Sequence, residues 1–275
     1  MTIVRSLLLL TLCVALVSAS APAAKEAPKK STKAPLLNDA GHGSVSGQFL
    51  LDGAVPAPKI LVKKGDPEAK DGAVCAAVDL TSDELVIDPK TKGIQHIFVY
   101  IRKVDKTKIH PKLKTSSKKE VVFDQKGCRF TPHSLLVRTD QEVVVKSADA
   151  CAHNTHTYPI RNKADNFTIN ANNRTGIKFA YPVAEFLPTT VKCDIHPWMK
   201  AYWLILDHPY MAVTDAQGRF TVTGLAPGTY EFRCWHEKVG YVAAGSKRGF
   251  SVTIKANQTT RLAPVKVPVA KFSEE

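Results

Sequence analysis

From Ser44 to Leu51 apolar and polar residues alternate, and the run stops at Asp52-Gly53, a turn pair. In a second run Ile97, Val99 and Ile101 share one face and Phe98 and Tyr100 the other. Short β-branched or apolar runs bounded by turn residues recur at Val121 to Phe123, Ser134 to Val137, Val143 to Val145 and Thr189 to Val191. Farther on, Thr214 to Val222 and Gly224 to Phe232 give a strand, a Gly turn, a strand, a Pro-Gly turn and a third strand. No stretch carries the spacing of a long amphipathic helix. The pattern predicts an all-β chain.

The ends have a different texture. Arg5, the apolar run Ser6 to Val17 and the small residues Val17-Ser18-Ala19 make residues 1–19 an export signal, which takes Cys13 with it. The expected location is secreted or periplasmic, and no other segment is apolar enough for a transmembrane span. Residues 20–41, rich in Ala, Pro and Lys, form a disordered linker, and residues 269–275 a tail. About 235 of the 275 residues remain beyond the linker, enough for two modest β domains.

The chemistry concentrates in Cys193-Asp194-Ile195-His196-Pro197-Trp198-Met199 and in His153-Asn154-Thr155-His156. One thiolate, two imidazoles and a thioether are the donor set of a blue-copper site, two His and one Cys in a plane with Met weakly on the axis. Spacings of two residues let one tight loop present Cys193, His196 and Met199 to a single point, and His153 must arrive from a neighbouring strand. Zinc competes for Cys and His, but a thioether suits it poorly, so copper is preferred.

These residues resemble the copper-binding segments of the cupredoxins, and the short ligand loop with Pro197 is most similar to the amicyanin type. The resemblance runs from about Phe123 to Leu206. It implies that His153, Cys193, His196 and Met199 hold one type 1 copper ion and that Asn154 ties the two ligand segments together. It also implies single-electron transfer with a redox partner, leaving through a surface-reaching edge of His196. Residues 209–265 resemble the small transthyretin-like, carboxypeptidase regulatory-like sandwich modules, in Thr214-Asp215-Ala216-Gln217-Gly218-Arg219-Phe220 and Leu225-Ala226-Pro227-Gly228-Thr229-Tyr230. The expected architecture is thus a cupredoxin-like Greek-key sandwich over residues 42–207, with an N-terminal β extension, then an immunoglobulin- or transthyretin-like sandwich over residues 208–268. That order also resembles exported proteins of a methylamine-utilisation-like type.

Without Cys13, five cysteines remain: Cys75, Cys128, Cys151, Cys193 and Cys234. With Cys193 on a metal, the other four allow two disulfides in three connectivities, or free buried thiols. Cys151, two residues before His153, is expected in a disulfide or as a buried thiol; a second thiolate at the ion would change its colour and potential. His156 is expected as a hydrogen-bonded neighbour. His236, after Cys234-Trp235, has no matching cluster for a second metal.

The formal charge of +13 falls to +12 without Arg5 and suits an acidic partner or an anionic envelope surface. Residues 102–119 hold eight Lys or Arg against Asp105 and form a solvated surface loop, with docking of an acidic redox partner as its functional alternative. Nucleic acid is not expected, since no basic groove with interleaved aromatics is visible. No nucleophile–base–orienter set or phosphate-cradling loop is present, so an enzyme is not expected. Two other functions stay open from sequence. One is an envelope copper carrier on the same ligands; the other is a metal-free structural or carbohydrate-binding β protein, its platform drawn from Tyr210, Tyr230, Trp235 and Tyr241.

Overall fold

The computed structural model describes residues 37–39, 41–242 and 248–273; the expected export signal, nearly all of the expected linker and the last residues of the tail lie outside the described residues. The expected all-β class is observed, with stacked sheets consistent with a cupredoxin-like and an immunoglobulin-like sandwich. The alternating runs form the strands Gly43–Asp52, Phe98–Ile101, Glu120–Gln125, Ser134–Arg138, Glu142–Ser147 and Thr189–Lys192. Helix among the described residues is confined to Gly72–Cys75 and three short 3-10 turns. No described helix is long and apolar enough to cross a membrane.

One sheet runs in the order Asn166–Ile169, His153–Tyr158, Thr189–Lys192, Lys200–Leu206, Ser134–Arg138. A second, in the order Ile177–Ala180, Glu142–Ser147, Glu120–Gln125, Phe130–Thr131, packs over it. Phe123, Val143, Val145, Ile169, Val191 and Trp203 fill the space between them. The Trp203 ring stands edge-on to Phe123 with centroids 4.9 Å apart and to Tyr181 at 5.6 Å, a favoured aromatic geometry.

Lys200–Leu206 belongs to two cores. Ala201, Trp203 and Ile205 face the sandwich just described, whereas Tyr202, Leu204 and Leu206 pack with Phe98 and Tyr100. A strand covered on both faces needs a continuous apolar run, which Ala201 to Leu206 supplies. Phe98–Ile101 does the same one layer on, since Ile97, Val99 and Ile101 enter a third core with Phe49, Phe220 and Phe232.

In that layer Phe98–Ile101 lies between Met211–Val213 and Gly228–His236. Gly43–Asp52 pairs antiparallel with Arg219–Leu225 and parallel with Thr259–Arg261 and Val265–Pro268. Strand pairing therefore crosses residue 207, the expected boundary between the two modules. Gly218 sits where the first turn of the C-terminal hairpin meets Gly43–Asp52. Its φ is +73°, and a Cβ there would lie 2.1 Å from the Phe49 carbonyl oxygen.

Residues 102–119 form a loop with 3-10 turns at Lys106–Lys108 and Pro111–Leu113. Ile109 and His110 pin it, being buried, and His110 Nε2 lies 2.8 Å from the Asp39 carboxylate.

Because Trp203 is fully buried and bridges both sheets, Trp203→Ala should cost about 3–5 kcal/mol of stability. Urea unfolding measures this; a loss below about 1 kcal/mol would contradict the assigned core role.

Candidate metal centre

Thr189–Lys192 pairs on one side with His153–Tyr158 and on the other with Lys200–Leu206. That pairing brings His153, the first residue of its strand, beside the loop that begins at Cys193. The loop closes on itself, with Met199 N donating to the His196 carbonyl at 2.9 Å and Cys193 N to the Met199 carbonyl at 3.2 Å. Asn154 spans the two segments: its Oδ1 accepts from Asp194 N at 2.6 Å and Ile195 N at 3.3 Å, and its Nδ2 donates to the Asp194 carboxylate at 2.9 Å. His156 sits alongside, 3.0 Å from the same carboxylate.

His153, Cys193 and His196 are all buried, and one donor atom from each lies within 4.8 Å of the others. The two imidazoles meet edge to face through their Nδ1 atoms, 2.9 Å apart, and His196 Nδ1 is 3.7 Å from Cys193 Sγ. Met199, 2 % exposed, packs in the same apolar cluster as Cys193.

The opposite nitrogens are engaged by carboxylates. His153 Nε2 lies 2.9 Å from Asp149 Oδ2, and His196 Nε2 lies 2.9 Å from Asp71 Oδ2. An ionised carboxylate only accepts, so each Nε2 carries a proton, and in the neutral rings each Nδ1 turns a lone pair inward. Two lone pairs and a sulfur facing one another in a dry interior repel unless a cation lies among them. The donor set therefore fits a soft or borderline metal ion held by two Nδ1 atoms and one thiolate.

Electrostatics point the same way. Burial raises the Cys193 thiol, but hydrogen bonds from His153 and His196 outweigh it and bring the group down to about 6. Burial depresses His153, yet its hydrogen bonds to Asp149 and Cys193 lift it to about 9. Asp149 is raised by burial and held low overall by His153 and by the backbone N–H groups of Cys128 and Gly127. Without metal, the site thus favours a thiolate beside an imidazolium.

Asp71 and Asp149 were not legible as site residues. Asp149 stands four residues before His153 in Asp149-Ala150-Cys151-Ala152-His153, a spacing that offers a weak clue. Asp71 has no sequence signal: it lies 125 residues from His196 and takes a left-handed backbone with φ 52°. It belongs to a segment that covers the site. Ile60–Val62 and Leu80–Thr81 form an antiparallel pair, Val62, Ala76 and Leu80 enter the sandwich core, and a Cys75–Cys128 disulfide ties the segment down. As a result His196 is 0 % exposed, and the expected surface-reaching edge is instead occupied by Asp71.

Cys151 is a free, buried thiol with its Sγ 3.7 Å from His153 Nε2. Cys234 is also free and buried. His236 lies elsewhere, fully buried against Phe272 with ring centroids 5.4 Å apart. The C-terminal aromatics are engaged internally. Tyr210 is buried with its hydroxyl on the Gly224 carbonyl, Trp235 packs on Phe98 and Tyr202, and Tyr241 stacks with Arg233 and Arg248.

In the metal-free chain the ultraviolet thiolate absorption should appear with a midpoint near pH 6, and the stability it brings should be lost as pH falls through that value. A midpoint in the ordinary thiol range, above about 8, would contradict the described contacts.

No family model and no curated protein matches the chain. Solved structures similar to it include the copper-containing nitrite reductase from Thermus scotoductus SA-01, 14 % identical over 31 % of this chain, with a TM-score of 0.28. The chain spans only 22 % of that reductase. Amicyanin from Paracoccus versutus is 11 % identical, with 39 % of this chain and 96 % of that one covered and a TM-score of 0.27. A purple cupredoxin from Nitrosopumilus maritimus is 16 % identical, with coverages of 32 % and 99 % and a TM-score of 0.25.

Proposed function

We propose that this chain is an exported copper-binding protein that carries single electrons, and that His153 and His196 through their nitrogens, Cys193 as thiolate and Met199 through its thioether would hold the ion. The observation that supports this reading is the pair of inward Nδ1 atoms, 2.9 Å apart beside Cys193 and each set by a carboxylate on its far nitrogen. When bound, one copper ion would supply the one-electron couple.

The chain's own residues do the rest. Asp71 and Asp149 hold the tautomers, and Asn154 locks the two ligand segments in register. The covering segment excludes water, so the donors need little rearrangement between oxidation states. A closed, fully buried site leaves no open position for a substrate, which favours electron carriage over catalysis. His196 is enclosed, so exchange with a redox partner proceeds through the covering atoms around it, with Trp198 at 5.3 Å between ring centroids. The eight cations of residues 102–119 suit an acidic partner.

A copper titration of the purified chain, followed by visible absorption and electron paramagnetic resonance, tests the reading. An intense thiolate-to-copper band saturating near one equivalent is expected, with reversible redox cycling. Tight binding without reversible cycling would indicate an envelope copper carrier, and no binding would remove the metal from the account. Cys193→Ser should abolish the band with the fold retained, and Met199→Leu should keep the colour and raise the potential. Strong colour surviving in Cys193→Ser would assign the thiolate to Cys151.

A further inference from the structure

Four of the five cysteines beyond the export signal stand around the two imidazoles, more sulfur than one ion needs. The Sγ atoms of Cys75, Cys128 and Cys151 and a ring nitrogen of His196 all lie within 4.8 Å of one another, and all four residues are buried. A tetrahedral ion with bonds of about 2.3 Å to sulfur holds its donors under about 4 Å apart, so this group can enclose one once the Cys75 and Cys128 sulfurs, now bonded to each other, separate. Cys75 and Cys128 are now joined as a disulfide and therefore have no thiolate to offer. Cys151 is a free thiol against both of their sulfurs.

We propose that reduction of the Cys75–Cys128 disulfide creates a second soft-metal site, in which Cys75, Cys128 and Cys151 bind one Cu(I) ion beside the His153–Cys193–His196 centre. The step is a two-electron exchange. A dithiol reductant gives up two electrons and two protons and becomes a disulfide; the Cys75–Cys128 bond breaks and leaves two thiols. Cu(I) then replaces thiol protons, which pass to solvent. Three sulfur donors select Cu(I) over harder ions. The position favours this state of the chain as well. Cys75 sits on the segment that carries Asp71, so one covalent bond both covers the first centre and masks the second. The disulfide form is a one-ion protein, and the reduced form a two-ion protein.

The proposal concerns the same cavity as the proposed electron-transfer centre but does not require it, and one titration separates the two. The mature chain is titrated anaerobically with Cu(I) against a chromogenic competitor, once with the disulfide intact and once after reduction by a phosphine that is then removed. Near-ultraviolet circular dichroism is recorded alongside. One added equivalent on reduction is expected, with the folded-state signal kept and the increment absent in Cys151→Ser. If the first centre fails, the counts become zero and one, and the increment still stands. Equal stoichiometry before and after reduction overturns the proposal. So does an increment that survives in Cys151→Ser, or one that appears only with loss of the folded signal. Should Cys151→Ser not fold, copper X-ray absorption of the reduced, two-ion wild-type chain replaces it. Only sulfur-rich coordination of the second ion then sustains the proposal.

Discussion

The constraint on which the site depends is an electrostatic conflict between two imidazoles. Asp149 and Asp71 each accept a hydrogen bond from the Nε2–H of one histidine, and this turns both Nδ1 atoms toward the same point, 2.9 Å apart. Inside a low-dielectric core such an arrangement costs several kcal/mol unless a positive charge fills the gap. A proton fills it in part: against the burial that depresses it, His153 is lifted to about 9 by its hydrogen bonds to Asp149 and Cys193, while Cys193 comes down to about 6. The proposed metal cation, held by His153, His196 and Cys193, would fill it.

The fold maintains this conflict by making the ligand sheet hard to relax. Thr189–Lys192 is hydrogen-bonded on both sides, and Lys200–Leu206, just past Met199, is buried on both faces. The ligand loop is thus anchored at one end to a central strand and at the other to the seam between two cores. From above, the segment over residues 60–81 brings Asp71 to His196 and is fastened by Cys75–Cys128. Rigidity below and enclosure above suit the proposed electron carrier, since the donors would stay in place as charge changes.

Much of this was legible in the sequence, for identifiable reasons. Strands announced themselves by period: Ile97, Val99 and Ile101 against Phe98 and Tyr100 became the two faces of one strand shared by two cores. The nearness of Cys193 and His196, in a loop that Met199 closes, was readable because the loop is short and spacing alone places them. His153 followed from the need for a further donor, and Asn154 from resemblance. What stayed hidden were contacts set by topology. Nothing in Gly43–Asp52 says that its partners lie at residues 219–268, because a strand pattern specifies faces and not neighbours. Asp71 was invisible because a 125-residue separation and a left-handed turn leave no periodic trace. For the same reason the enclosure of His196 was missed, and its ring was expected at the surface.

The central claim is that two imidazole nitrogens and the Cys193 sulfur converge on one copper ion. Copper K-edge X-ray absorption of the Cu(II)-loaded chain with its disulfide intact reads those donors directly. The account predicts one short copper–sulfur shell together with scattering from two imidazoles. A first shell of nitrogen and oxygen alone, with no short sulfur distance, would contradict it.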